Sequence, residues 1–555
     1  MSPMQPELPE DYYLDNVITL LDHVESLYAD LLEQEQLDFL YSFVALPGDA
    51  KKLYIRLLNR SHYLFRLSKL DYPEIGSISN AIALLKSRGF LQVDPEIDRA
   101  ELIALFSKTE LLGQHPQRPE LRKMQRSALD TALLNENEDI FFNHLKKSDC
   151  LLQVLQKDSY TLFQMLFFGN LNQSMTDFVL RDLGLYQYEN YSIDMQNRPY
   201  NSTSEIQQHW LLHQVDTLFQ LSDPADQQTL QTCFNAVAQD TSPDSPLYRK
   251  AERIKYEIAR QIERLGDLSL ALALYRQCSL PPSRERIARI LHKQGDVKAA
   301  LKLCETIIDS PYSEEETQFA YAFGRRLVQR HKISDLAFFS APEVVHKPEI
   351  LDLELAKQDS VEIAVAEYFR EQNTNNQCFY LENSLFNGVL GLIIWDAIFA
   401  PIAGAFYNPF QHRPADYYAH DFKQKRTLEF EAAWSSITTN EHIWQRVAER
   451  WSQKFGMMNP LVNWQALSPD IIELALQRIP YNHWMIIFER IQLDLRNNRA
   501  GFPDLVLFPA DDGYQLIEVK GPGDSLQKNQ QRWMNYFVEH DIPHTLARVR
   551  WANAI

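Results

Sequence analysis

Towards the end of this 555-residue chain, Asp504, Glu518 and Lys520 stand in the pattern P-D-x13-E-x-K. Leu505–Phe508 (LVLF) reads as a short apolar strand, Ala510–Gly513 as a tight turn, and Tyr514–Lys520 (YQLIEVK) as a second strand. Residues two apart on a strand share a face, so Glu518 and Lys520 point the same way, and Asp504 at the mouth of the paired strand can sit beside them. Two carboxylates about 5 Å apart repel by roughly 3 kcal/mol at an effective dielectric of about 20, and a divalent cation turns that penalty into a site. All-oxygen ligation favours Mg²⁺ or Mn²⁺ over zinc. Such an ion polarises a phosphoryl oxygen and activates water, while an ammonium offsets charge building at the transition state, which is the chemistry of phosphodiester hydrolysis. No Cys/His/Ser triad competes with it.

The elements that must position these groups follow from the flanking sequence. Gly521–Asp524 (GPGD) breaks the second strand, and Ser525–His540 reads as a helix. Upstream, Leu385–Phe406 is nearly long enough to span a bilayer but carries Asn387, Asp396 and Pro401. A buried helix is expected there, with Asp396 satisfying a buried polar network, and no membrane partner. EQNTNNQ (Glu371–Gln377) looks like the linker into this final domain, 371–555.

Before it, residues 136–370 read as amphipathic helix after helix. ERLGDLSLALALYRQC (Glu263–Cys278) and HKQGDVKAALKLCETI (His292–Ile307) align at Gly266 and Gly295, a 29-residue offset that suggests helical-repeat hairpins. Polar breaks are expected at Asn190–Glu205 and Asp240–Pro246. Residues 1–50 hold eleven acids and no Lys or Arg, whereas residues 51–88 hold eight bases against Asp71 and Glu74. An acidic helical region (1–50) followed by a module with a basic face (51–135) is the reading, with a solvated helix surface as the alternative. NAIALLKSRGFLQVD (Asn80–Asp94), a helix stopped by Gly89 and then a strand, suggests a winged-helix-like unit. Beyond it, Gly113 and Pro116 break two helices, and Arg118, Arg122, Lys123 and Arg126 cluster where a DNA backbone could lie.

Hydrophobic residues at 45% and charged residues at 23% exclude a disordered chain. A net charge of −19 excludes coating of nucleic acid by bulk charge, though not a local basic groove. Five scattered cysteines with no C-x-x-C pair, and an acidic start without a signal sequence, point to the reducing cytoplasm.

GFPDLVLF…YQLIEVKGPGDSLQKNQQRWM resembles the VRR-NUC branch of the PD-(D/E)xK nucleases. With KLYIRLLNRSHYLFRLSKLDYPEI, KSRGFLQ, the repeats and LENSLFNGVLGLIIWDAIF, the wider chain resembles the Fanconi-associated nuclease family. The resemblance implies a mostly α, multidomain protein: a SAP-type DNA-binding region, TPR-like repeats, then an α/β nuclease domain. It implies that Asp504, Glu518 and Lys520 are catalytic with Gln530, and that Asp504, Glu518, the Val519 carbonyl and Glu382 (in E-x-S-x-F) hold Mg²⁺ or Mn²⁺. It also implies a basic pocket for a phosphorylated 5′ end, matching Arg496 and Arg499, with Arg284 or Arg286 as a third contributor. Where the family places a Lys after E-V-K this chain has Asn529, with Lys528 beside it.

The function expected is therefore a structure-selective nuclease that cuts branched or 5′-flap DNA, trims 5′→3′ and acts in interstrand crosslink repair. Alternatives are a nuclease of the same fold for four-way junctions or RNA, and a non-catalytic helical-repeat scaffold. No zinc-finger pattern points to a protein partner.

Overall fold

The computed structural model describes residues 11–552 except 61, 116, 136–138, 174, 176–177, 180, 182, 239–244, 334–338, 340–347 and 420; Pro116 and most of the Asp240–Pro246 break thus lie outside the described residues. The chain divides into two compact units, the first reaching Leu185 and including Tyr200–Thr203, the second holding Tyr186–Pro199 and everything from Ser204 onward.

In the first unit, the helix Tyr12–Tyr28 buries Val17, Leu20, Leu21 and Val24, the stripe an amphipathic helix requires. Gln34–Val44, Gly48–Leu58 and Ile78–Ser87 follow, the last capped by Ser77, whose hydroxyl accepts from the Asn80 N–H. Strands β1 (Leu64–Arg66) and β2 (Leu91–Val93) do not pair with each other. Each lies antiparallel to β3 (Leu151–Val154), which fills the space between them. That third strand falls where only helix was expected; LLQV is too short for its period to tell strand from helix.

The basic face is smaller than the charge count implied. Lys52 pairs with Asp11, Arg56 with Glu74, Arg66 with Asp149 and Glu110, and Lys69 with Glu110. Lys51, Arg60, Lys86 and Arg88 enter no ion pair among the described residues. Arg126 is structural: it chelates Asp130 and donates to the carbonyls of Phe106 and Ile103.

In the second unit, Tyr248–Arg264, Leu268–Tyr275, Ser283–Lys293, Val297–Asp309 and Glu314–His331 stack in succession. The Gly-Asp repeat has a structural meaning. Gly266 and Gly295 both turn through the left-handed region, at φ 92° and 90°, and Asp267 and Asp296 then accept from the Leu270 and Ala299 N–H groups as N-caps.

The final layer is a five-stranded sheet in the order β4 (Ile350–Leu355), β8 (His544–Trp551), β7 (Gln515–Lys520), β6 (Leu505–Phe508), β5 (Gln377–Tyr380). β4, β8 and β7 run parallel to one another; β7, β6 and β5 alternate in direction. Leu505, Leu507, Ile517 and Val519 face a core with the helix Val361–Gln372, whereas Val506, Phe508 and Leu516 face the helices Leu385–Ile393, Tyr481–Leu493 and Lys528–Glu539. Burial on both faces explains why LVLF is apolar throughout. β4 lies inside the stretch read as all helix: I-L-D-L-E-L alternates with a strand's period and opens the nuclease sheet before the expected boundary at residue 371.

Leu385–Ala400 is core apart from Asp396, every residue of Leu385–Ile393 being buried, but the expected helix stops at Ile398, and Pro401 and Ala403 beyond it are exposed. No helix among the described residues is long and apolar enough to cross a membrane. Asp396 is a correction: its side chain is exposed and pairs with Arg450, because the chain breaks helix at Ile394 and turns it outward.

Candidate active site

Asp504 immediately precedes β6. Its carbonyl accepts from the Leu381 N–H (3.0 Å), extending the pairing with β5. Its Oδ2 accepts from the Val519 N–H at 2.8 Å, so the carboxylate itself joins the two strands. Glu518 and Lys520 share one face of β7, and Lys520 Nζ lies 2.8 Å from Glu518 Oε1. Asp, Glu and Lys therefore meet at one point of the sheet.

Electrostatics at that point are strained. Glu518 is 0% exposed and Asp504 8%. Burial foremost, and then the Asp504 charge, pushes the Glu518 carboxyl up to about 8. Burial, with the Glu382 charge adding to it, raises Asp504 to about 6 against the pull of its hydrogen bond to Val519. Despite the close approach of Lys520, neither Glu518 oxygen has a partner in hydrogen-bond geometry. A buried, hard, under-satisfied carboxylate beside a second carboxylate suits a divalent cation.

Glu382 follows β5 and feels both carboxylates. Its Oε2 accepts from Tyr380 (2.7 Å) and its Oε1 from the Asn383 amide (3.0 Å). These donors hold it aside, and among the described residues no three His, Cys, Asp or Glu side chains already gather round one point. Asn383 Oδ1 also accepts from the Phe502 N–H, and Asn387 donates to the Asn383 and Arg499 carbonyls, each at 2.7 Å. Two asparagines thus tie the Glu382 loop to the loop carrying the P-D motif. The sequence singled out Asn387 only as a polar residue in an apolar run; Tyr380 and Asn383 gave no signal.

Gly501 fixes the other side. It has φ +93°, and a Cβ there would stand 2.8 Å from the Asn529 carbonyl carbon, so the loop packs directly on the start of the last helix. Gln530, the glutamine matched in that helix, accepts from the Gln527 N–H (2.9 Å) as half of a capping box. Lys528 opens the same helix, exposed to solvent.

Of the four arginines matched to a phosphate pocket, two come together. Arg496 and Arg499 lie 5.4 and 5.5 Å from the Tyr418 ring centroid, joined by Arg413 at 4.7 Å, which donates to the Tyr418 hydroxyl. Burial, with Arg413 and Arg499 adding to it, holds His412 down at about 4. Nothing in HRPADYY marked Arg413 or Tyr418 beforehand. Arg284 and Arg286 are used within the repeats instead, Arg284 by Glu316 and the Tyr312 ring, Arg286 by Glu263. Neither touches the Tyr418 group.

The VRR-NUC domain matches residues 438–551, and the FAN1 HTH domain matches residues 11–92, running across the acidic and basic stretches. A Fanconi-associated nuclease 1 homolog of Pseudomonas aeruginosa is 33% identical over 98% of this chain and 97% of its own length. Human Fanconi-associated nuclease 1 is 22% identical over 94% of this chain and 61% of its own. A crystal structure of paFAN1 bound to 2-nt 5′-flap DNA with a gap superposes with TM-score 0.87 at 31% identity, covering 99% of this chain and 100% of that one. With these similarities carried over nearly its whole length, the chain belongs to the Fanconi-associated nuclease family, whose VRR-NUC domains are DNA phosphodiesterases.

Proposed function

We propose that this protein is a Mg²⁺- or Mn²⁺-dependent endonuclease for 5′-flap and branched DNA that also trims 5′→3′ and serves interstrand crosslink repair. The observation that carries the reading is the junction of Asp504, Glu518 and Lys520: a carboxylate bridging two strands, a fully buried second carboxylate, and an ammonium 2.8 Å from it. Asp504, Glu518, the Val519 carbonyl and Glu382 would hold the ion, Glu382 turning from Tyr380 and Asn383 to do so. A divalent ion in that position supplies Lewis-acid polarisation of the phosphoryl oxygen and a supply of nucleophilic water.

The chain's own groups do the rest. Lys520 balances the negative charge that accumulates on the phosphoryl oxygens, and the buried sheet excludes bulk water, which strengthens that interaction. Gln530 holds the helix behind the site. Arg496 and Arg499, with Arg413 around Tyr418, offer planar forks to a terminal 5′-phosphate. Lys51, Arg60, Lys86 and Arg88 remain to meet duplex backbone, consistent with selection by shape rather than base sequence. The relative crystallised on 5′-flap DNA supports this choice of substrate.

Cleavage of a 5′-flap oligonucleotide tests it. Asp504→Ala and Lys520→Ala should each lose at least about a thousandfold in rate while retaining DNA binding. Full activity in either would defeat the assignment.

A further inference from the structure

The strand that carries Glu518 and Lys520 is continued sideways by a charged row that the hydrolytic reading does not use. In the parallel register, Lys520 of β7 stands beside Arg548 of β8, and Arg548 beside Asp352 of β4; Arg550 comes next along β8, opposite Glu354. Partners in register point to the same face, here the face of Glu518 and Lys520. The opposite face of these strands is the core built on Leu353, Ala547 and Val549. On the Lys520 side, β8 and β4 are open to solvent, and Lys520, Gly521, Asp524, Leu546, Arg548 and Arg550 line a cleft of about 300 Å³.

Arg548 is half exposed and holds Asp352 through two bonds, Nε to Oδ1 at 2.9 Å and Nη2 to Oδ2 at 2.8 Å. A surface ion pair accounts for Arg548 alone. It does not account for Arg550, which is exposed, enters no ion pair among the described residues, and lies near enough to add to the field that keeps Asp352 ionised. On a chain of net charge −19, three cations in one row, Lys520, Arg548 and Arg550, answered across β4 by Asp352 and Glu354, stand out beside the proposed catalytic lysine. Neighbouring strands are about 4.8 Å apart and alternate residues about 6.6 Å apart, while one DNA strand presents a charge about every 3.4 Å of axis. The side chains of Lys520, Arg548 and Arg550 are thus set apart by more than one charge spacing, so each can meet a different phosphate near the one being cut.

We infer that Arg548 and Arg550 bind the backbone phosphates flanking the scissile one on the cleaved DNA strand. Asp352 occupies Arg548 in the free protein, and an incoming phosphate takes its place with the same two-pronged geometry. Asp352 thus lowers affinity for DNA, and the inference rests on the nuclease reading of this site.

The test is fluorescence anisotropy of the full-length protein with a 5′-flap oligonucleotide in EDTA from 50 to 200 mM salt, paired with steady-state cleavage. Arg550→Ala should weaken binding about 3–10-fold and lower the slope of log K against log salt by about 0.9, the signature of one lost phosphate contact. In cleavage it should raise KM rather than depress kcat. Asp352→Asn should do the reverse and tighten binding about 2–3-fold by freeing Arg548. Wild-type affinity and slope in both variants would overturn the inference while leaving hydrolysis intact. Failure of the underlying reading looks different: Asp504→Ala or Lys520→Ala would then still cut DNA, whatever the arginine variants do.

Discussion

Replacing Glu518 by Gln removes the costliest charge in the site, and the consequence can be worked out with its sign. A glutamate lifted from its ordinary 4.5 to about 8 in the folded protein is protonated there across a range in which the unfolded chain has already released the proton. The folded state then binds more protons, so stability is full below about pH 4.5 and falls as pH rises towards about 8, at about 1.4 kcal/mol per pH step. The full interval corresponds to about 5 kcal/mol; because Asp504 and Lys520 share the coupling, about 2–3 kcal/mol is the expected gain for Glu518→Gln at pH 8.5. At pH 5 both proteins carry a neutral group there, and they should nearly coincide. Urea denaturation in EDTA at the two pH values measures this. With Mn²⁺ at a hundred times its dissociation constant the gap at pH 8.5 should largely close, since only the ionised wild type gains about 2.7 kcal/mol from the ion. A difference between the two proteins that is the same at pH 5 and pH 8.5, or equal stabilisation of both by Mn²⁺, would refute the reasoning.

Other perturbations reach the parts that support the site. Gly501→Ala meets both a left-handed φ and the Asn529 backbone, and should cost about 2–4 kcal/mol in urea denaturation and slow flap cleavage; an unchanged midpoint would show that the loop yields freely. Arg499→Ala and Arg496→Ala should erode the preference for a 5′-phosphorylated flap over an unphosphorylated one by about tenfold, read from paired cleavage rates. Arg126→Ala strips bonds from Asp130 and two carbonyls and should destabilise the protein by about 1–3 kcal/mol. Cells lacking the gene should regain resistance to a crosslinking agent with the wild-type chain and not with Asp504→Ala, as scored by survival.

Chemistry was more legible in the sequence than the scaffold around it. Asp504, Glu518 and Lys520 lie on adjacent strands joined by one short turn, so spacing alone brings them together, and the structure does so through the Val519 bond. Glu382 is 122 positions upstream of Asp504 and reaches the site only because β5 pairs with β6; no local pattern encodes that, and only the family resemblance pointed to it. Asn383, Arg413 and Tyr418 were missed for the same reason, since they meet Phe502, Arg496 and Arg499 only through the fold, while Tyr380, two residues from Glu382, belongs to no motif. Asp396 was misread because its apolar neighbours suggested burial, whereas the helix break at Ile394 turns it to solvent. β3 and β4 were hidden in a helical stretch: one is four residues long, and the other alternates leucine with acid among helices of similar composition. The basic tally over residues 51–88 overstated the free charge, because acids from distant positions, Asp11, Glu110 and Asp149, pair with three of the eight bases and Glu74 holds a fourth.

Anomalous diffraction at the manganese edge, from crystals of the full-length protein equilibrated with Mn²⁺, shows where the cation sits relative to Asp504 and Glu518. A peak is expected that is ligated by oxygens of Asp504 and Glu518 and the Val519 carbonyl, with Glu382 rotated away from Tyr380 to join them. A peak elsewhere, or none at that position with Glu518 still paired to Lys520, would contradict that ligation.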